Sequence, residues 1–295
     1  PHPAPMMIDP FTIQLPFCLG IPGLFCLREI TGYGLMMMVG FIMAGWTIQV
    51  DLRHRRLNEE YATDIVFAAV IGGIIGAKLW YVALTGGPLF QRGGFVWYGG
   101  FLGGVVAVLL NGWRKGVPAR WTMELTAAPL AVGYALGRVG CFLVNDDYGI
   151  PSTLPWAMKF PDGQPPSTVA SLEHMGVAFP AGTDPLDVVA VHPTQIYETV
   201  LMLAAFWWLW RLRDRPRGMG WRFGVYLVLA GAERFLIEFV RAKDDRLLGP
   251  LTLAQATSLG LILVGLVIMQ QLRAPDPSAA AAPVALEVDR KAQPS

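Results

Sequence analysis

Two arginines set in apolar sequence carry the strongest chemical signal in this chain. Arg138 lies in GRVGCFLVNDDYG, residues 137–149, at the end of a hydrophobic run. A charged side chain at the centre of a spanning helix costs roughly 2.5–3.5 kcal/mol on insertion scales, so Arg138 calls for a partner or a polar cavity. Gly133, Gly137 and Gly140 around it allow a neighbouring helix or a lipid headgroup to approach the backbone closely, and Asn145, Asp146 and Asp147 mark the exit to water. The guanidinium is therefore expected just below an interface. In ERFLIEFVR, Arg234, Glu238 and Arg241 fall at i, i+4 and i+7, one stripe of a helix. That stripe is either an ion-paired seam between packed helices or an anion site, because a guanidinium keeps its charge in a low dielectric and grips phosphate oxygens in pairs. Two arginines from separate apolar runs favour the anion site.

HPTQIYE opens another apolar run, with Pro193 fixing a helix start and His192, Gln195 and Glu198 able to line its end. A histidine there is a cap, a hydrogen-bond partner or a proton acceptor. YGGFLGG, Tyr98 to Gly104, reads as a small-residue helix contact with Tyr98 as an interfacial anchor, and Tyr33 admits the same structural reading. Lys78 either snorkels or neutralises a carboxylate such as Glu124.

The elements that must hold these residues follow from composition. Of 295 residues 54% are apolar and only 15% charged, too greasy for a soluble domain of this length, so the chain is expected to be an all-α polytopic membrane protein. The formal net charge of +1 argues against a nucleic-acid partner. The three cysteines have no metal-ligand spacing, although Cys18 and Cys26 can pair if they face an oxidising compartment. Runs long enough for about 30 Å of hydrocarbon occur at Tyr33 to Val50, Ile65 to Leu84, Phe95 to Gly112, Thr122 to Val144, Thr194 to Trp210, Phe223 to Val240 and Leu251 to Gln271. Seven transmembrane helices are thus expected over residues 33–271, with a small extracytoplasmic head at 145–191. Residues 1–32 read as an interfacial segment broken by Pro10, Pro16 and Pro22 and not as a signal peptide; PHPAPMM reads as a leftover or fragment edge, with Met6 or Met7 as a start. The Ala/Pro-rich tail, 272–295, is expected to be disordered and cytoplasmic.

Three loops concentrate basic residues: Arg53, Arg55 and Arg56; Arg114, Lys115 and Arg120; and Arg211, Arg213, Arg215, Arg217 and Arg222. The positive-inside rule puts all three in the cytoplasm. The other side, with Arg28, Arg92, Lys159 and the mixed RAKDDR run, holds the N-terminus and the head. No internal repeat suggests an inverted-repeat transporter.

Taken together, YGLMMMVGF, GAKLWY, YGGFLGG, GRVGCF…DDYG, HPTQIYE and RFLIEFVR resemble the prolipoprotein diacylglyceryl transferases of the bacterial inner membrane, over about Tyr33 to Gln271. The resemblance implies seven spans, an outward head and no cofactor or metal. It implies transfer of diacylglycerol from phosphatidylglycerol to the lipobox cysteine of a prolipoprotein signal peptide, with glycerol phosphate as co-product. Arg138 and Arg234 match the family's two essential arginines and are expected to clamp the phosphate. Glu238 and Arg241 would orient Arg234, while Tyr33, Gly99, Gly100, Asp146, Gly149 and Gln195 would shape the headgroup site. Many members carry a histidine, proposed as the base, where this chain has Tyr98; a phenol with a reference pKa near 10 is a poorer base, which makes His192 the substitute candidate. Cys141 replaces a frequent asparagine, Asn145-Asp146-Asp147 a Gly-Glu pattern, and Ala230 a common tyrosine. Such departures keep open a same-fold paralogue that moves another lipid group or only binds lipid. An anion transporter using the two arginines is a further alternative.

Overall fold

The computed structural model describes residues 6–21, 25–89, 95–242, 246–248 and 251–287. Seven long helices occupy the seven hydrophobic runs: α1 (Gly32–His54), α2 (Glu60–Thr85), α3 (Trp97–Arg114), α4 (Ala119–Leu143), α6 (Thr194–Arg211), α7 (Trp221–Ile237) and α8 (Leu253–Gln271). Two short helices, α5 (Val169–His174) and α9 (Pro277–Ala280), complete the helical set among the described residues. Among the described residues, four helices, α1, α2, α4 and α8, are long and apolar enough to cross a membrane, and α4 is the most buried of them. On α2, Phe67, Ile71, Ile74 and Ile75 are all more than half exposed. Water would not tolerate so continuous an apolar face, but acyl chains would. The chain is a polytopic membrane protein.

The segment expected to be interfacial contains strands. β2 (Thr12–Ile21) and β3 (Phe25–Thr31) pair antiparallel with a register shift between Gln14 and Leu19. Pro16, which lies within β2, is compatible with an isolated two-stranded ribbon, where half the backbone groups need no ladder partner. β1 (Met6–Met7) runs parallel to β4 (Met158–Lys159), and β5 (Arg246–Leu248) pairs with β6 (Leu251–Thr252). The pairing open to Cys18 and Cys26 concerns side chains outside the described residues, and residues 1–5, Arg92, and Lys243 to Asp245 of the RAKDDR run lie outside them as well.

The chain divides into two compact units. The first comprises Pro1–Gly40, Ala131–Trp208 and Tyr226–Leu266. Its segment after α4 wraps a small apolar cluster of Tyr148, Phe160, Leu172, Val191 and Ala242. The Tyr148 and Phe160 rings stack at 5.5 Å, and the Tyr148 hydroxyl donates to the carbonyls of Pro165 and Pro166.

The second unit comprises Phe41–Leu130, Leu209–Val225 and Val267–Ser295. Its core gathers Ile48, Leu52, Leu57, Tyr61, Trp121, Leu125 and Leu286. The tail expected to be disordered thus differs at Val284–Leu286, a short 3₁₀ turn whose Leu286 is fully buried and whose carbonyl accepts from Asn58 N at 2.8 Å. One well-placed leucine outweighs the Ala/Pro composition around it. A buried charge network lies in the same unit: Arg222 bonds Asp51 Oδ2 at 2.6 Å and Glu124 Oε1 at 2.5 Å, and Arg55 bonds Asp51 Oδ1 at 2.9 Å. Glu124 is therefore neutralised by Arg222, not by Lys78, whose ammonium lies 4.8 Å from the Phe95 ring centre. Helices α2 and α3 touch backbone to backbone. A side chain at Gly72, Gly76, Gly99 or Gly103 would collide with the facing helix.

Candidate anion site at the end of α4

The site grows from the abrupt end of α4. The helix stops at Leu143, and Asn145 and Asp147 both adopt left-handed backbone, with φ of 59° and 64°. Asn and Asp are the non-glycine residues that enter this region most readily. Three residues after α4 the chain therefore doubles back, bringing Asp147 against the guanidinium of Arg138, nine positions earlier. Asp147 Oδ2 accepts from Arg138 Nη1 at 2.8 Å, and Oδ1 accepts from Arg241 Nη2 at 2.7 Å.

The N-terminus of α6 fixes this turn from behind. Helix α6 begins directly after Pro193. Thr194 Oγ1 donates to the Asp147 carbonyl at 2.7 Å, and Gln195 Nε2 donates to the Asp146 carbonyl at 2.6 Å. One turn on, the fully buried Glu198 forms an ion pair with Arg138 Nη2. Arg234 on α7 pairs with Glu238 at 2.7 Å. The expected stripe of Arg234, Glu238 and Arg241 breaks here, because α7 ends at Ile237 and not at Val240. Beyond the helix, i+7 no longer returns to the same face. Arg241 accordingly turns to Asp147 instead of helping Glu238 orient Arg234.

Gly149 makes this crossing possible. Its N–H donates to His192 O at 2.9 Å and Ile150 N donates to Val240 O at 2.9 Å, so Gly149 bridges to Arg241. A Cβ at Gly149 would collide with the Val240 carbonyl and His192. Gly149 thus sets the backbone that delivers Arg241.

Electrostatics follow from these partners. Burial works against the Asp147 carboxylate most strongly, but Arg241, Arg138 and Arg234 together outweigh it and hold the group below the usual carboxylate range. Asp146 goes the other way: burial, then the charge of Asp147, pushes its carboxyl up. The two acids line a half-open cleft of about 200 Å³ with Arg241, Tyr148, Pro165 and Met175. Among the described residues, Arg138 Nε and Arg234 Nη1 are buried without a hydrogen-bond partner. Two guanidiniums held by carboxylates, each with a donor to spare, can donate to an anion's oxygens.

The family model described as "Prolipoprotein diacylglyceryl transferase" matches residues 22–271. The chain belongs to this family. A relative from Nitratidesulfovibrio vulgaris (strain DSM 19637 / Miyazaki F) is 33% identical over 261 residues, covering 82% of this chain and 89% of that protein. One from Pseudomonas syringae pv. syringae is 31% identical over 276 residues, 86% and 93% of the two chains. One from Clostridium tetani is 29% identical over 249 residues, 81% and 92%. All three are named phosphatidylglycerol–prolipoprotein diacylglyceryl transferase.

In this member of the family the structure brings Arg138, Asp146, Gly149, Gln195, Glu198 and Arg241 around one turn, with Arg234 on α7 and Glu238 just past its end. Tyr33 joins them: its backbone and ring pack on Gly140, and it shares the electrostatic surroundings of Arg138, Cys141, Asp146 and Asp147. His192 contributes its carbonyl to the crossing, but its ring turns to the Tyr197 hydroxyl at 3.2 Å, which in turn accepts from Trp156 Nε1 at 2.8 Å. It does not line one face with Gln195 and Glu198. Burial pushes the His192 imidazolium towards its neutral form. Tyr98, Gly99 and Gly100 belong to the second unit. There Tyr98 is 56% exposed on the first turn of α3, while Gly99 and Gly100 face α2.

Two acids escaped the sequence reading. Asp147 looked like part of a solvated exit. Glu233, buried on α7 with Oε1 unpartnered among the described residues, was overshadowed by the arginine beside it. A carboxyl in an apolar helix, next to an arginine, was the available signal for Glu233.

Proposed function

We propose that this chain transfers the diacylglyceryl group of phosphatidylglycerol to the lipobox cysteine thiol in the signal peptide of a prolipoprotein, forming a thioether and releasing glycerol phosphate. The observation that carries the proposal is the pair of guanidiniums, Arg138 and Arg234, each keeping a buried donor unpartnered among the described residues while carboxylates fix its orientation. In the reaction the sulfur forms a bond to the glyceryl carbon, the carbon–oxygen bond to phosphate breaks, and its electron pair leaves with the phosphate oxygen. Charge gathers on the departing phosphate, where fixed guanidiniums act best because they need no reorganisation. The thiol must lose its proton, since the thiolate is the nucleophile. His192 and Tyr98 are the two candidate acceptors, and the neutral imidazole favoured by burial suits His192 to the task. Tyr33, Gln195, Asp146, Gly149, Glu238 and Arg241 shape the headgroup site.

The same proposal includes the wider organisation. All seven long helices, within residues 33–271, span the bacterial inner membrane. The basic loops face the cytoplasm, as does the tail at 272–295. The interfacial segment at 1–32 and the head at 145–191 face the periplasm. The diacyl chains occupy an apolar groove open to the bilayer.

The test is an assay of the purified chain with phosphatidylglycerol and a lipobox peptide, following peptide mass. A mass gain of one diacylglyceryl group is expected, lost in Arg138→Ala and Arg234→Ala. Full activity in both variants would refute the phosphate clamp. His192→Gln and Tyr98→Phe in the same assay decide the base: the one that retains full activity is removed from that role.

A further inference from the structure

We infer that Asp147 is a positioning residue: it ties the guanidinium of Arg138 to Arg241, sets the geometry of Arg138, and through it fixes the affinity for phosphatidylglycerol. The inference rests on the proposal that Arg138 is a phosphate ligand.

The residue is held at both its side chain and its backbone. Arg138 comes from α4, bonding Oδ2 at 2.8 Å, and Arg241 comes from beyond the end of α7, bonding Oδ1 at 2.7 Å. Thr194 Oγ1 at the start of α6 pins its carbonyl at 2.7 Å, and its own φ of 64° fixes the turn. Each carboxylate oxygen is thus committed to a different guanidinium. Without the carboxylate, two like charges would face each other and separate, and Arg241, which lies outside any helix, would have only its backbone bridge to Gly149 to locate it. With it, Arg138 is gripped on one side by Asp147 and on the other by Glu198, while Nε remains unpartnered among the described residues. A displacement of about 1 Å in such a group is enough to cost two orders of magnitude in catalysis. Asp147 touches the arginines and acts through them.

A bland alternative is a surface ion pair, since the Asp147 side chain is about one-third exposed and such pairs contribute little. Kinetics separate the two. In the full chain with phosphatidylglycerol and a lipobox peptide, Asp147→Asn is expected to raise KM for phosphatidylglycerol by about tenfold, the size of one lost charge-assisted hydrogen bond. KM for the peptide should stay unchanged. Asp147→Gly provides a second variant, because glycine accepts φ near 64° without strain and so preserves the turn while deleting the carboxylate. It should give the same selective rise. Arg241→Ala should add nothing further in an Asp147→Gly background, because Arg241 acts through the deleted group. An unchanged phosphatidylglycerol KM in both Asp147 variants would overturn the inference, as would equal rises in both KM values or additive effects with Arg241→Ala. If Arg138→Ala is itself fully active, the phosphate-ligand proposal fails. If Arg138→Ala is inactive while the Asp147 variants behave as wild type, only the role of Asp147 fails.

Discussion

At the residue scale, Arg138 shows why a buried charge must be judged with its partners. Replacing it by alanine removes a guanidinium and leaves the fully buried Glu198 unpaired, and breaking a buried pair in this way costs about 3–5 kcal/mol of stability. Arg138→Ala should therefore lower the thermal midpoint as well as abolish transfer. Adding Glu198→Gln should restore much of the midpoint but none of the transfer, which separates the two effects in one pair of melting curves and assays. Acid should act through Asp147. Its carboxyl titrates below the ordinary value in the folded chain, so its contribution to stability is complete above the unfolded value of about 4 and is lost as pH falls through the lower, folded value. Between those pH values an Asp147→Asn chain should lose less stability on acidification than the parent, as read by thermal midpoints. Arg138 and Arg234 were legible in the sequence because an arginine in an apolar run has few innocent explanations. Asp147 was not, because an acid just past a helix end ordinarily meets water. Arg241 was found but given the wrong neighbour, since a helical stripe holds only while the helix does.

At the scale of elements, the seven long helices fall where hydrophobic runs place them, with ends shifted by a few residues. Length and apolarity decide such helices before any tertiary contact forms, which is why they could be read directly. The strands at 12–31 could not, because prolines there signal only what the segment avoids. The glycines of α3 announced a contact without its depth. A methyl group on Gly103 would strike the Gly72 carbonyl and Gly76 Cα, both backbone, whereas one on Gly104 meets only ordinary van der Waals contacts. Gly103→Ala is expected to destabilise by about 1–3 kcal/mol through overpacking, while Gly104→Ala should melt with the parent chain; equal behaviour of the two would show that the helices can part at little cost.

At the scale of the molecule, the chain combines a first unit dominated by an arginine–carboxylate cluster with a second that buries its own charges and closes on its tail. Composition suggested that nothing after Pro275 folds, but a single apolar residue decides otherwise. Leu286→Ala should lower stability by about 2–5 kcal/mol, and Val284→Ala, at an 83% exposed neighbour, should leave the melting curve where it was.

The burial of Leu286 also imposes an order on biogenesis. Its neighbours Ile48, Leu52 and Leu57 leave the ribosome early, and their cluster stays incomplete until residue 286 has been translated. Insertion of the helices into the bilayer can proceed during synthesis, but that part of the protein matures only afterwards, so a nascent chain stalled before this leucine should remain open to proteases around the connection between α1 and α2.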